Sequence, residues 1–212
     1  MSLPVIVLGA GGHARVLIDA LRTRSASILG ITEADHGKHG QMVFDVPIIG
    51  DDSALLRFPP ESHRLVNGLG TVRVSMLRRQ LFDGFKSKGY FFAAVVHASA
   101  IVAADVILAE GAQIMAGAVL QTGCRIGENV IINTRVAVDH DCLIGNHVHV
   151  SPGATLCGNV AVGEGSHIGA GATVIQGIRI GRDCMVAAGA VVIRDIPDGV
   201  SVAGVPAKEI HS

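Results

Sequence analysis

A histidine between two aspartates, Asp139-His140-Asp141, is the group of side chains in this sequence best suited to acid–base chemistry. Imidazole transfers protons near neutral pH, and an adjacent carboxylate can fix its tautomer and stabilise its protonated form. We therefore expect His140 to act as a base supported by Asp141, and an ordinary solvated turn is the alternative. His147 and His149 follow, either as surface residues or as part of a site. Their spacing does not favour a metal ion.

A second candidate site is the glycine-rich stretch 9–14, which follows the apolar run 5–8. Consecutive backbone N–H groups at a helix N-terminus can hold a phosphate, and glycine allows close approach. The stretch nearly matches the dinucleotide fingerprint, with Glu33 in range of a ribose hydroxyl. A nucleotide or nucleotide-sugar is favoured over a dinucleotide, because about ninety residues supply only half of a doubly wound fold. A tight turn without a ligand is the other interpretation.

The element that must position His140 is a six-residue repeat. Aliphatic residues occupy every sixth position, at Val96, Val102, Leu108, Ile114, Leu120, Ile126, Ile132, Val138, Ile144, Val150, Leu156, Val162, Ile168, Val174, Ile180, Val186 and Val192. This period fits neither an α-helix nor a flat strand and is typical of a hexapeptide β-helix. A small or apolar residue follows each aliphatic by four positions and should fill the core with it.

A longer period of eighteen residues predicts three hexapeptides in each triangular coil. It appears as an aliphatic-glycine pair that recurs at 126–127, 144–145, 162–163 and 180–181. We expect these glycines to turn one corner of the prism with positive φ. Three cysteines take core positions and the fourth follows an inward residue, so all four are interpreted as inert thiols.

The first ninety or so residues predict a small parallel α/β sheet instead. Strands are expected at 5–8, 28–31, 46–49 and 65–66, and helices at 52–57 and 72–88. A further helix after the glycine-rich stretch carries apolar residues at Val16, Leu17, Ala20 and Leu21. We therefore predict an α/β domain resembling half of a Rossmann fold at 1–93 and a parallel β-helix at 94–212, with a tail from Pro197.

The composition excludes several classes of partner. The formal net charge is −1, which gives no general attraction to nucleic acid or to a membrane surface. The apolar stretches are interrupted by polar residues too often to cross a bilayer, and the start of the chain lacks the features of a signal peptide. We expect a cytoplasmic protein with no nucleic-acid and no membrane partner.

Taken together, the motifs resemble the sialic acid O-acetyltransferase family and its sugar-nucleotide N-acetyltransferases. The resemblance rests on GAGGHA at 9–14, INT at 132–134, VDHDC at 138–142, HVSPGA at 149–154 and GVPAK at 204–208. It implies that the β-helix is left-handed. It also implies a homotrimer with active sites between subunits, and acetyl-CoA as co-substrate with no metal.

The resemblance also implies roles for individual residues. His140 matches the catalytic base and Asp141 the acid that raises its basicity. The remaining matches are His149, Gly158, Ala170, Ala188 and Lys208 for acetyl-CoA, and Gly11, Gly12, His13, Glu33 and Gly70 for the nucleotide-linked sugar. Glu33-Ala34 stands where relatives have two aspartates, and Gly68-Leu69-Gly70 departs from their G-D-N or G-N-N, so the nucleobase and the sugar stay open.

The expected reaction is direct transfer of an acetyl group to the 4-amino group of a UDP- or GDP-linked 4-amino-4,6-dideoxysugar. O-acetylation of sialic acid or a related sugar is the alternative within the family. Two other classes remain: a nucleotide-sugar-binding module without transfer, and half of a dehydrogenase fused to a scaffold.

Overall fold

The computed structural model describes residues 3–71 and 76–210, which form two compact units. The first contains 3–71 and 76–98, and the second contains 99–210. No helix in these described ranges is long and apolar enough to cross a membrane.

The first unit is a five-stranded sheet with two α-helices. Its elements are β1 Val5–Leu8, α1 Gly12–Arg22, β2 Ile28–Thr32, β3 Met42–Val43, β4 Val46–Gly50, β5 Arg64–Asn67, α2 Met76–Lys86 and β6 Val95–Val96, with short 3₁₀ helices at His36–Lys38, Asp52–Arg57 and Pro60–Ser62. The sheet order is β3-β4-β2-β1-β5, parallel except for the β3–β4 pair. The glycine-rich turn and the loop after β5 both follow neighbouring strands, so they share one edge of the sheet.

The four expected strands of this unit are confirmed, the first with the same bounds and the other three with one or two residues added, whereas the helices differ more. The segment 52–57 is a 3₁₀ helix, and the helix expected at 72–88 is described only as Met76–Lys86. Residues 72–75 lie outside the described part. The helix ends early because Gly89 has a φ of 84° and the N–H groups of Gly89 and Tyr90 donate to the carbonyls of Lys86 and Phe85.

Two features of the first unit were not expected. Strand β3 pairs with β4 through a two-residue turn, Phe44-Asp45, in which both residues have positive φ. Such turns usually contain glycine or asparagine, so the residues Phe44-Asp45 did not indicate a hairpin. Of the four apolar residues named for α1, Leu17, Ala20 and Leu21 are buried, whereas Val16 is 42% exposed. Ala14 and Ile18 complete the buried face.

The second unit is a β-helix built from two-residue strands. They are β7 Ile101–Val102, β8 Ile107–Leu108, β9 Gln113–Ile114, β10 Val119–Leu120, β11 Arg125–Ile126, β12 Ile131–Ile132, β13 Ala137–Val138, β14 Leu143–Ile144, β15 His149–Val150, β16 Thr155–Leu156, β17 Ala161–Val162, β18 His167–Ile168, β19 Thr173–Val174, β20 Arg179–Ile180, β21 Met185–Val186 and β22 Val191–Val192, followed by β23 Ser201–Ala203 and β24 Lys208–Glu209.

Every third strand pairs in parallel, which gives three faces. The first face contains β7, β10, β13, β16, β19 and β22; the second contains β8, β11, β14, β17 and β20; the third contains β9, β12, β15, β18 and β21 and is extended by β23 and β24. Partners are eighteen residues apart, as in Ala137 opposite Thr155, so the predicted three-hexapeptide coil is confirmed. The inward aliphatics from 114 to 192 and their smaller companions are buried, which confirms the predicted core.

The reason given for the glycines at 127, 145, 163 and 181 was wrong. Their φ values are not positive. They are glycine because a Cβ there would lie 2.5–2.8 Å from backbone atoms of the following turn. The left-handed positions fall two residues later and recur every six residues from 111 to 189, with φ between 51° and 78°. They are Gly111, Gly117, Gly123, Asn129, Arg135, Asp141, His147, Gly153, Asn159, Gly165, Gly171, Gly177, Asp183 and Gly189.

Candidate active site

The glycine-rich turn of the first unit leads directly into helix α1, which begins at Gly12 with Gly11 as its N-cap. A Cβ added to Gly11 or Gly12 would meet no atom within 4 Å, so these two backbones face open space. Their φ values are not positive, so the backbone at these two positions does not require glycine, unlike that of Gly9, whose φ is 89°. The first N–H groups of a helix have no intrahelical acceptor. Open space above such groups suits a phosphate that comes close to the backbone.

Glu33, expected near the nucleotide, is fixed against the same turn. Its carboxylate accepts hydrogen bonds from the Ala10 N–H at 2.8 Å and from the Asp35 N–H at 3.1 Å. Partial burial raises the pKa of Glu33, but these two hydrogen bonds and the nearby Lys38 charge outweigh it and hold the pKa below its ordinary value. The carboxylate therefore stays ionised and joins β2 to the glycine-rich turn.

Gly70 and His13 meet in this unit, as a shared site requires. A Cβ on Gly70 would lie 3.1 Å from the His13 Cβ, a tight contact. The preceding Gly68 leaves even less room, because a Cβ there would be 2.5 Å from the Leu8 carbonyl oxygen. The loop after β5 thus packs directly on the loop after β1, and both need small residues.

His140 and Asp141 lie at the corner between the first and second faces of the β-helix. His140 Nδ1 is 2.9 Å from Asp141 Oδ2, and the His140 N–H donates to Asp139 Oδ1 at 2.8 Å. The hydrogen bond with Asp141 and the negative charge of Asp139 raise the pKa of His140. The imidazole side chain is 56% exposed. An exposed ring with one nitrogen on a carboxylate presents Nε2 for proton transfer.

Gly158 lies directly beside the exposed ring, one coil further along the same corner. A Cβ on Gly158 would be 2.5 Å from His140 Nε2 and 2.7 Å from Cε1. Its φ is not positive, so its backbone conformation does not require glycine, and the missing side chain instead leaves space for the His140 ring. Asp141 has the equivalent neighbour on the preceding coil, since a Cβ on Gly123 would collide with its carboxylate. Two glycines therefore make room for the histidine–aspartate pair.

His149 lies on the third face and, contrary to the surface interpretation, is only 8% exposed. Asn133 Oδ1 accepts the Thr134 N–H at 2.7 Å, so the Asn133 Nδ2 is the donor to His149 Nε2 at 3.2 Å. This bond makes Nε2 an acceptor and leaves Nδ1 as the protonated nitrogen of His149. His167 packs edge-on against the ring, with centroids 4.7 Å apart.

His167, Asn133 and Ser151 were not predicted as site residues. His167 is 6% exposed, and its Nε2 lies 2.9 Å from the Ser151 hydroxyl. Burial lowers its pKa, so the ring is neutral. The signal was available in the coil period, because a residue eighteen positions after His149 must lie beside it on the same face.

The remaining acetyl-CoA candidates are spread over the β-helix. Ala170 and Ala188 are exposed at the corner between the third and first faces, and the Gly189 N–H donates to the Ala170 carbonyl. Lys208 is exposed on β24 at the end of the third face. A single chain therefore gathers His140, Asp141 and Gly158 at one corner, and leaves His149 and these three residues elsewhere on the column.

Three of the four cysteines lie in the core, and the fourth, Cys157, is half-buried and directly precedes Gly158. Cys124, Cys142 and Cys184 are buried in the core, and each thiol donates to a backbone carbonyl at 3.0–3.2 Å. Burial raises the pKa of Cys142 to about 12, so it is a thiol at neutral pH. Within the described residues no group of three or more His, Cys, Asp or Glu side chains is arranged to hold a metal ion.

Comparison with protein families and solved structures agrees with this geometry. Residues 4–84 match the PglD N-terminal domain, and residues 123–158, 141–176 and 159–194 match the bacterial transferase hexapeptide family. Perosamine N-acetyltransferase from Caulobacter crescentus, solved as a histidine variant with CoA and GDP-perosamine, is 39% identical with a TM-score of 0.91, over 99% of this chain and 97% of that one. The chain belongs to the sialic acid O-acetyltransferase family.

Two further relatives support the assignment to this family. The acetyltransferase domain of PglB from Neisseria gonorrhoeae, in complex with acetyl coenzyme A, is 36% identical with a TM-score of 0.90, over 99% of this chain and 100% of that one. WeeI from Acinetobacter baumannii is 25% identical with a TM-score of 0.87 over 99% and 100%. Comparison with curated protein sequences gives no match. This family member is an acetyl-CoA-dependent sugar acetyltransferase with a left-handed β-helix.

Proposed function

We propose that this family member transfers the acetyl group of acetyl-CoA to the 4-amino group of a UDP- or GDP-linked 4-amino-4,6-dideoxysugar, with His140 as general base. The observation that carries the proposal is the pair formed by His140 Nδ1 and Asp141 Oδ2, with Gly158 leaving space at Nε2. The complexes of two relatives with CoA and GDP-perosamine or with acetyl coenzyme A support the choice of donor and acceptor.

In the proposed reaction His140 Nε2 accepts a proton from the amine as the nitrogen–carbon bond to the acetyl group forms. The carbon–sulfur bond then breaks, and the proton held by His140 passes to the departing thiolate. Asp141 stabilises the imidazolium between these two events. No acyl-enzyme is needed, which agrees with the burial of three of the four thiols.

His149 has a complementary role in this proposal. Its protonated Nδ1, selected by the Asn133 bond at Nε2, is suited to donate to the thioester oxygen as negative charge develops there. The base contributes roughly 10²–10⁴ in rate and such a donor roughly 10²–10³.

The first test is a thiol-release assay with acetyl-CoA against UDP- and GDP-linked 4-amino-sugars, with free and CMP-linked sialic acids as competing acceptors. Release of CoA with an amino-sugar nucleotide is the expected result. Turnover only with sialic acids would replace N-transfer by O-transfer, and no turnover with any acceptor would favour a binding module. His140→Ala should lower kcat by roughly 10²–10⁴ on the true acceptor.

We further propose that the active enzyme is a homotrimer. His140 lies at the corner between the first two faces and His149 on the third face, so two copies must meet to bring them together. The outward residues of the first face offer an uncharged contact surface: Ile101, Val119, Ala137, Thr155, Thr173 and Val191. The second face, in contrast, carries Arg125 and Arg179 at equivalent positions.

Subunit complementation tests this arrangement. His140→Ala and His149→Ala chains, each nearly inactive alone, are unfolded together, refolded as a mixture and assayed. If each site takes one histidine from each of two subunits, random mixing restores about one quarter of the wild-type activity. Mixing of the already folded variants without refolding is the control. A mixture no more active than its components would place both histidines in one chain's site or remove His149 from the reaction.

A further inference from the structure

A buried arginine, Arg78, contacts the loop that packs on the proposed nucleotide site. Arg78 lies in the first turn of α2 and is 4% exposed. Burial lowers the pKa of its guanidinium to about 9, so the group remains charged at neutral pH while it loses hydration. Burying a charge is costly unless hydrogen bonds compensate for it, and an apolar residue would suit the inner face of α2 better. The position therefore needs a specific explanation.

The guanidinium makes its hydrogen bonds to the end of β5 and the loop that follows. Its Nη1 donates to the Asn67 carbonyl at 2.9 Å and to the Leu69 carbonyl at 2.5 Å. Asn67, itself 1% exposed, donates from Nδ2 to the Arg78 carbonyl at 3.0 Å and accepts the Leu69 N–H at 3.2 Å. Arg78 thus donates to residues 67 and 69, and Asn67 donates back to Arg78, so hydrogen bonds in both directions join α2 to this loop.

This loop packs directly on the glycine-rich turn. The Gly68 N–H donates to the Leu8 carbonyl at 2.8 Å, and a Cβ on Gly9 would lie 3.2 Å from Leu69 Cδ1. One residue further, a Cβ added to Gly70 would lie 3.1 Å from the His13 Cβ, so little space separates the two residues. We therefore expect a displacement of the Leu69 carbonyl to move His13 and the first turn of α1 as well.

We propose that Arg78 is a positioning residue for the nucleotide-diphosphate site, acting through the loop 67–70 to set the place of His13 and the glycine-rich turn. The inference rests on the proposed function, because it assumes that this turn holds the diphosphate of the sugar nucleotide. Arg78 itself touches no substrate. Its charge-assisted bonds from Nη1 to two carbonyls give the loop one fixed position. The lysine ammonium lies one bond closer to the backbone and is a flexible, strongly hydrated charge, so it cannot hold both carbonyls in the same place.

The test compares Arg78→Lys with Arg79→Lys in the full-length protein. Arg79 is the neighbouring residue on the same helix, and its side chain pairs with Asp83 at 3.5 Å on a more exposed face. Arg78→Lys should raise the KM for the nucleotide-sugar, and the Kd for UDP or GDP in calorimetry, by about tenfold, which corresponds to about 1.4 kcal/mol. The KM for acetyl-CoA should stay within twofold, and Arg79→Lys should change neither constant by more than about twofold.

Asn67→Asp provides a second variant that keeps the size of the side chain and its acceptor for Leu69 N–H while removing the donor to the Arg78 carbonyl. It should raise the same KM and Kd in the same direction as Arg78→Lys. Unchanged nucleotide constants in folded Arg78→Lys and Asn67→Asp would overturn the inference, as would equal losses for both substrates with a lower Tm. Failure of the wild-type protein to bind UDP or GDP would instead overturn the proposed function and, with it, the positioning role.

Discussion

Replacing Gly158 by alanine should impair the base without impairing the fold. The added Cβ would be 2.5 Å from His140 Nε2, so the ring must move by about 1 Å to restore van der Waals contact. The backbone of Gly158 has no positive φ, and the imidazole is 56% exposed and can swing outward. The new methyl group is therefore accommodated by displacement of the side chain that acts as base in the proposed reaction.

A misplacement of about 1 Å in a reacting group can cost about 10²-fold in rate, and we expect kcat of Gly158→Ala to fall by about that factor. The assay is CoA thiol release on the acceptor found active with the wild-type enzyme, accompanied by thermal unfolding. The Tm should change little. Gly84→Ala, in α2 where a Cβ would meet nothing within 4 Å, is the matched control and should retain full activity.

A double-mutant cycle decides whether the loss acts through the imidazole. If it does, Gly158→Ala introduced into His140→Ala should cause almost no additional loss, because residues that act as a unit are non-additive. A loss of about 10²-fold in both backgrounds would show that Gly158 acts through the acyl donor alone. Retention of more than half of the wild-type kcat by the single variant would refute the reasoning altogether.

Three further predictions follow from the same structure. Asp141→Asn should lower the pKa of His140, because the carboxylate raises that pKa in the wild-type protein. The acidic limb of the pH profile of kcat/KM should therefore move to lower pH, while the maximum of kcat/KM falls. An acidic limb at unchanged pH would contradict the pairing of the two residues. Replacing all four cysteines by alanine or serine should leave kcat within about twofold in the folded variant, since we interpret the thiols as inert. Loss of turnover in a variant that is still folded would instead indicate an acyl-cysteine intermediate. Gly163→Ala should cost about 1–3 kcal/mol in unfolding free energy measured with urea, because its Cβ would lie 2.5 Å from the Gly181 backbone; an unchanged midpoint would show that the corner can expand.

The β-helix could be predicted almost completely because a period of six leaves little freedom. Once every sixth residue is aliphatic, strand, coil and face follow for the whole stretch from 114 to 192. What the pattern did not reveal was which corner residue takes the left-handed conformation. That position holds Asp141, His147 and Asp183 as readily as glycine, because backbone pairing between coils imposes it regardless of side chain.

The first unit was harder to predict, because its key contacts involve backbone groups that a pattern of residue types does not reveal. Arg78 is on the buried face of an amphipathic helix, where a pattern of polar and apolar residues assigns it to solvent. Its compensation lies in the Asn67 and Leu69 carbonyls, which are backbone groups and leave no trace in residue types. For His149 the sequence left a surface position and a site position both open, because alternation along a two-residue strand gives the direction of a side chain but not what covers it.

The corner at Asp183, compared with the corner at Asp141, shows which features of the candidate site belong to the fold and which are specific to the proposed chemistry. Asp183 has the same left-handed conformation as Asp141, and a Cβ on Gly165 would collide with its carboxylate as one on Gly123 would with that of Asp141. The aspartate above a glycine is therefore a recurring way to fill a corner of this β-helix. Arg182 precedes Asp183, whereas His140 precedes Asp141 and has Gly158 beside its Nε2. The fold supplies the oriented carboxylate, and in the proposed reaction one histidine with one additional glycine makes that corner a site for proton transfer.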